Sequence, residues 1–143
     1  MKRVVITGMG INSCIGNSLE EVTNSLQNGI SGTRFNPTYA DMNFKSHVSA
    51  AAEQDFDHID RKLKRFMGVC AMYAYNSALA AVQHAGLQPE DIGGNPRYGI
   101  AGGSGGGSTA SVIEMNELLD TKGARKVGPF FVPRNMSNTI TAN

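Results

Sequence analysis

Two short apolar runs next to glycine-rich turns constrain the fold of this chain most. Residues 4–6 (Val-Val-Ile) are β-branched and precede a Gly-Met-Gly turn at 8–10, and residues 98–102 precede a glycine-serine run at 103–108. Neither run alternates apolar with polar residues, which is typical of strands buried on both faces of a parallel sheet. Helical patterns follow both runs. The sequence therefore predicts strand, helix, strand and helix in a βαβ arrangement, an α/β fold.

Three helices are predicted around these runs. The first begins at Ser18, a candidate N-cap with glutamate three residues later, and ends before Gly29. The second is a long alanine-rich helix of six turns, capped by Asp57 or Asp60 and ended by Gly86. The third follows the glycine-serine run and carries Val112, Ile113, Met115, Leu118 and Leu119.

The segment between the first and second helices has no clear periodicity. Proline, asparagine and scattered aromatic residues from about position 32 to 57 predict an irregular excursion, with a short strand near residues 47–51. We expect no chemistry in this segment.

Composition places the chain among soluble globular domains. Its 143 residues are 41% hydrophobic and 17% charged, which predicts one domain over residues 1–143. The net charge of +1 gives no global reason to expect nucleic acid or a membrane surface as partner. The first apolar run is too short for a signal peptide, and no stretch approaches the roughly 18 apolar residues of a bilayer span. With two cysteines in no framework, a reducing, cytoplasmic location is expected.

The glycine motifs do not support a nucleotide site. A dinucleotide fingerprint after the first strand would need a third glycine where Ser13 stands, so a tight turn is the preferred interpretation. The later glycine run lacks the Gly-Lys-Ser/Thr ending of a phosphate-binding loop. Close approach of the backbone to a buried ligand or a second chain remains open for that run.

Histidine and cysteine positions predict neither a metal site nor a nucleophile. His47, His58 and His84 lie far apart, and none has metal-ligand spacing to another or to a cysteine. Cys70 falls on the apolar face of the long helix, where a thiol behaves as a small hydrophobic group. Cys14 lies in a loop, with no base or cation close to it in sequence. We therefore expect no metal, no cofactor and no catalytic residue among these positions.

Basic residues form two local clusters. Arg61, Lys62, Lys64 and Arg65 open the long helix, where four cations oppose the helix dipole. Lys122, Arg125 and Lys126 form the second cluster. The sequence leaves two interpretations open, a solvated helix face and a surface that attracts an anionic partner.

Five motifs in order resemble one enzyme family. They are Lys2 to Gly10, Asp60 to Lys62 with Arg65 to Met67, Asn95 to Gly99, Gly103 to Ser108 and Val127 to Pro129. Together they resemble the start of the elongating, type I β-ketoacyl-acyl carrier protein synthases. The resemblance implies a thiolase-like fold, in which this chain is part of the N-terminal βαβαβ half of a five-layer α/β/α/β/α sandwich. It also implies a homodimer that performs decarboxylative Claisen condensation on carrier-bound acyl groups, without a cofactor.

Matching positions assign supporting roles within that resemblance. Gly106 matches a residue near the acyl pocket, and Met136 matches a residue at the dimer contact. Lys62 and Arg65, with Arg125 and Lys126, match the basic surface on which the acidic carrier protein docks. No catalytic position is matched, so the cysteine nucleophile and two histidines are expected beyond Asn143 and the chain alone is expected to be inactive.

The sequence is also compatible with two other functions. The chain could be a stand-alone carrier-protein-binding or dimerising module, recognised by binding without turnover. It could also be a nucleotide-binding oxidoreductase, which would bind cofactor at residues 8–10. A thiolase half of this length would lack sheet neighbours, so apolar faces such as that of Ile100 should be open and the isolated chain poorly stable.

Overall fold

The computed structural model describes residues 2–142. Its helices are α1 (Leu19–Gln27), α2 (Pro37–Asp41), α3 (Arg61–Lys64), α4 (Val69–His84), α5 (Pro89–Ile92), α6 (Thr109–Lys122) and α7 (Phe131–Asn135). Two 3₁₀ helices, Ala124–Lys126 and Ser137–Thr141, flank α7. Strands β1 (Arg34–Phe35) and β2 (Val48–Ser49) pair antiparallel, with Arg34 opposite Ser49.

The structure confirms the first and third predicted helices and shows a serine cap at each, of which only the cap at Ser18 was predicted. At α1 the Ser18 hydroxyl accepts from the Glu21 amide at 3.1 Å, while the Glu21 carboxylate accepts from the Asn17 amide at 2.8 Å. At α6 the Ser108 hydroxyl accepts from the Ser111 amide at 3.3 Å. Each cap satisfies an amide that the first helical turn leaves without a partner. Strand β2 likewise lies within the predicted strand at 47–51.

The prediction of one long helix after residue 60 is wrong in one respect, because the structure has two helices there, α3 and α4. Asp60 caps α3, accepting from the Lys62 amide at 2.7 Å, and the helix then stops before Gly68. A Cβ on Gly68 would lie 2.5 Å from the Arg134 carbonyl oxygen and 2.8 Å from the Ser108 Cβ. This close approach requires glycine at the break, and it leaves Met67 inside the core rather than on a helix face.

The core lies where α4 meets the residues before α3. Ile59, Met67 and Ala71 are the buried residues of the main cluster, and Phe56, Met72, Tyr75 and Ile140 pack against them.

The two buried parallel strands predicted at residues 4–6 and 98–102 are not formed within residues 2–142. Val4 is 92% exposed and Ile100 is 71% exposed, and neither segment is paired with another strand. A strand buried on both faces needs a neighbour on each side, and no described segment supplies one. The expectation that the apolar face of Ile100 is open is therefore confirmed.

The turn at residues 8–10 packs directly on α4. A Cβ on Gly8 would overlap the Ala81 carbonyl oxygen, and one on Gly10 would overlap that of Ser77. The Met9 amide donates to His84 Nδ1 at 3.0 Å. Glycine at these positions therefore permits close contact between this turn and the helix backbone.

Candidate functional site

An aromatic contact joins the two basic clusters of the chain. The rings of Phe66 and Phe130 meet edge to face, with centroids 5.1 Å apart and planes at 83°. The guanidinium carbon of Arg65 lies 6.0 Å from the Phe130 ring centroid, within the range of a cation–π interaction. Arg65 follows α3, whereas Phe130 precedes α7, so residues distant in sequence meet on one surface.

The second basic cluster borders the same surface. Arg125 and Lys126 lie in the 3₁₀ helix after α6, and Phe130 follows Lys126 by four residues. Four residues span at most about 14 Å even when fully extended. Arg125 and Lys126 therefore lie within about 14 Å of Phe130 along the chain. We call six residues the basic-aromatic surface: Lys62, Arg65, Phe66, Arg125, Lys126 and Phe130.

The four cations of this surface are exposed and carry no ion pair within residues 2–142. Two neighbouring cations differ in this respect. Lys64 lies 3.5 Å from the Asp57 carboxylate, and Arg134 lies 2.7 Å from that of Glu114. Positive charge without an internal partner is available to an external anion, so the geometry is suited to binding an acidic macromolecule.

A second region brings Gly106 close to Met136. A Cβ on Gly107 would overlap the carbonyl oxygen of Asn135, so these two backbone segments are in direct contact. Gly106 and Met136 are their respective neighbours in the chain. A Cβ on Gly106 would meet nothing within 4 Å, and Met136 is 45% exposed. Both predicted residues are exposed, and the contact that the structure shows is between their chain neighbours Gly107 and Asn135.

The histidines of the described chain have structural contacts. His84 accepts from the Met9 amide, His58 Nε2 lies 2.8 Å from Asn76 Oδ1, and His47 stands edge to face with Phe35 at 6.3 Å. Cys14 and Cys70 are both half-buried free thiols. No group of three potential metal ligands occurs within residues 2–142.

Sequence reasoning missed the aromatic part of the basic-aromatic surface and an open polar cleft. Phe66 and Phe130 have one usable signal, since each follows a basic cluster by a few residues. The cleft, of about 630 Å³, lies between α1 and the β1–β2 pair and is bordered by Cys14, Arg34 and Glu53. No spacing in the sequence indicates it.

Comparison with known proteins assigns the chain to a family. The family model described as β-ketoacyl synthase, N-terminal domain, matches residues 1–143. The chain belongs to the β-ketoacyl synthase family. It is 41% identical to 3-oxoacyl-[acyl-carrier-protein] synthase 1 of Haemophilus influenzae over 99% of its length, covering 35% of that protein. It is 42% identical to the Escherichia coli K12 protein of the same name, again over 99% of its length and covering 36% of the relative.

Solved structures of β-ketoacyl synthases share the fold. A β-ketoacyl synthase from Burkholderia phymatum superposes with a TM-score of 0.81 at 28% identity, over 99% of this chain and 36% of its own. The ishigamide ketosynthase/chain length factor gives 0.79 at 26% identity, over 97% of this chain and 35% of its own. The chain therefore has the thiolase-like fold of the N-terminal part of these synthases, and it spans about a third of the length of the relatives it matches. No helix within residues 2–142 combines the length and apolar character that crossing a bilayer requires.

Proposed function

We propose that this chain is the N-terminal part of an elongating 3-oxoacyl-[acyl-carrier-protein] synthase. The observation that carries the proposal is identity of 41% and 42%, over nearly the whole chain, to two relatives of that name. In this proposal residues 1–143 are part of one thiolase-like domain of a cytoplasmic homodimer. Cell fractionation and light scattering of the purified protein test the location and the dimer.

The proposed reaction has two halves. A cysteine thiolate attacks the thioester of an acyl carrier protein, forms an acyl-enzyme and releases the carrier thiol. Malonyl carrier protein then loses carbon dioxide, and the resulting carbanion attacks the acyl-enzyme carbonyl and expels the cysteine. We place this cysteine and the two assisting histidines beyond Asn143, because the cysteines and histidines of residues 2–142 are not arranged as a nucleophile with its base. The 143 residues alone are then inactive.

Within this reaction the basic-aromatic surface is the docking site for the acidic carrier protein. The proposal is supported by the exposed cations that have no ion pair within residues 2–142. A solved type II polyketide ketosynthase of the same fold, 20% identical, is in complex with its acyl-carrier protein. Docking by surface charge would orient the carrier and raise the rate of encounter.

A specific observation also favours a second function, a stand-alone carrier-binding module. The four docking cations all lie inside these residues, so binding would need no further sequence. A condensation assay separates the two functions. Formation of 3-oxoacyl carrier protein with one carbon dioxide per product supports the synthase, whereas carrier binding without product supports the module.

We further propose that the open space beside Gly106 receives the acyl chain and that Met136 contacts the second subunit. Replacing Gly106 with methionine should lower kcat/KM for a tetradecanoyl substrate about 10-fold and leave a hexanoyl substrate nearly unaffected, because the added side chain would fill the space that we propose for the end of a long acyl chain. Steady-state assays over acyl length measure this effect.

The matched control for this substitution is Gly99→Met. A Cβ on Gly99 also meets nothing within 4 Å, so the change adds the same bulk at an open position elsewhere. An equal loss for short and long substrates in Gly106→Met, or the same length dependence in Gly99→Met, would refute the role of Gly106.

A further inference from the structure

We propose that Phe130 is a positioning residue of the docking surface, holding Arg65 in place before the carrier protein arrives. This inference rests on the proposed function. Phe130 itself need not touch the carrier. Its role follows from two contacts, the edge-to-face packing on Phe66 at 5.1 Å and the guanidinium of Arg65 at 6.0 Å.

The two basic clusters are not joined by hydrogen bonds. Within residues 2–142, the hydrogen bonds of residues 60–67 stay inside the segment or run to Asp57, and those of residues 123–130 stay inside residues 119–134. The two segments are held together by packing instead, through the Phe66–Phe130 contact and the close approach of Gly68 to the Arg134 carbonyl oxygen. Within this packing, the Phe130 ring is the group that contacts Arg65.

Arg65 is the cation whose side chain the Phe130 ring holds in place. It caps the end of α3, where the chain leaves the helix, and its side chain is exposed and without an ion pair within residues 2–142. An unrestrained arginine side chain loses much rotamer freedom when it binds. A guanidinium already held over an aromatic ring loses less, so its contribution to carrier affinity is larger.

The Phe66–Phe130 contact lies outside the core, so it can position Arg65 without being needed for core stability. Phe66 is 41% exposed and Phe130 is 38% exposed, so neither ring lies in the core. The main core cluster of Ile59, Met67 and Ala71 is formed without them. Removal of the Phe130 ring should therefore disturb docking more than folding.

The test is a KM-against-kcat comparison in the intact enzyme. Phe130→Leu should raise KM for acyl carrier protein about 5-fold and leave kcat unchanged. The substitution removes two exposed contacts, the cation–π contact with Arg65 and the edge-to-face contact with Phe66. KM for an acyl-pantetheine thioester, which lacks the carrier protein, should stay the same. Phe130→Tyr retains the ring and should restore the KM of the natural protein.

A double-mutant cycle with Arg65→Ala shows whether the ring acts through the cation. In the Arg65→Ala background, Phe130→Leu should raise KM less than 2-fold. A full 5-fold rise in that background would overturn the inference, because the ring would then act independently of Arg65. Phe44→Leu is the control, since Phe44 belongs to another exposed ring pair, with Tyr39 at 5.1 Å, and should not change KM.

Failure of this inference can be told apart from failure of the docking proposal. Unchanged KM in Arg65→Ala would refute the docking surface itself. A raised KM in Arg65→Ala with unchanged KM in Phe130→Leu would refute only the positioning role. If Phe130→Leu does not fold, Phe66→Leu removes the same contact from its other side and is held to the same criteria.

Discussion

Replacing both Lys62 and Arg65 with glutamate should raise the Kd for acyl carrier protein about 100-fold. Each substitution replaces an exposed attraction of about 0.7 kcal/mol with a repulsion of similar size. A total near 3 kcal/mol corresponds to about 100-fold, because about 1.4 kcal/mol is tenfold in Kd. Titration calorimetry at about 0.1 M salt measures the change, and affinity of the unsubstituted protein should fall as salt is added.

A matched charge control separates local docking from net charge. Arg34→Glu with Lys45→Glu lowers the net charge of +1 by the same four units, two for each substitution, at exposed positions far along the chain from both basic clusters. This control should change Kd less than 3-fold. Equal losses in the two double variants would show that overall charge, and not the basic-aromatic surface, governs binding.

Gly107→Ala should lower the free energy of unfolding by about 3 kcal/mol, the upper range for overpacking a tight contact. The added Cβ overlaps the carbonyl oxygen of Asn135 and lies 2.8 Å from its carbonyl carbon. These are backbone atoms, which cannot rotate away as the end of a side chain could. In a protein about three times this length, as the relatives are, the midpoint of thermal unfolding should fall by about 4 °C, measured by circular dichroism.

The preceding glycine provides the control for this stability prediction. A Cβ on Gly106 meets nothing within 4 Å, and its backbone is not in the left-handed region. Gly106→Ala should therefore leave stability unchanged or raise it by up to about 1 kcal/mol, because alanine restricts the unfolded chain. Equal destabilisation by both substitutions would contradict the described contact between Gly107 and Asn135.

Local signals were sufficient for the start of α1. The hydroxyl of Ser18 acts within three residues, so the sequence alone predicts where α1 begins, and the cap of α6 by Ser108 is equally local although it was not predicted. The resemblance of five ordered motifs predicted the family and thiolase-like fold, which the family match and structural neighbours confirm.

Contacts between distant residues could not be predicted in the same way. The break at Gly68 depends on the Arg134 carbonyl, which no pattern near Gly68 indicates. Helical periodicity continues across the break, so periodicity alone favours one helix. The contact of Phe66 with Phe130 is likewise long-range and has no signal beyond the neighbouring cations.

The strands predicted at residues 4–6 and 98–102 show the limit of composition. Their lack of alternation predicts burial between neighbouring strands, whereas Val4 and Ile100 are largely exposed within residues 2–142. An apolar pattern without alternation indicates that a segment favours a central position in a parallel sheet. The segment can occupy that position only when the neighbouring strands are present. The predicted poor stability of the isolated 143 residues stays a prediction.

Mapping the acylated residue tests the central claim most directly. The purified protein is incubated with an acyl carrier protein, its intact mass is measured, and the acylated peptide is identified by mass spectrometry. The account predicts an unmodified mass above 15.2 kDa, the mass of these 143 residues, and one acyl group on a cysteine outside residues 1–143. An acyl group on Cys14 or Cys70, or a condensing protein of 15.2 kDa, would contradict it.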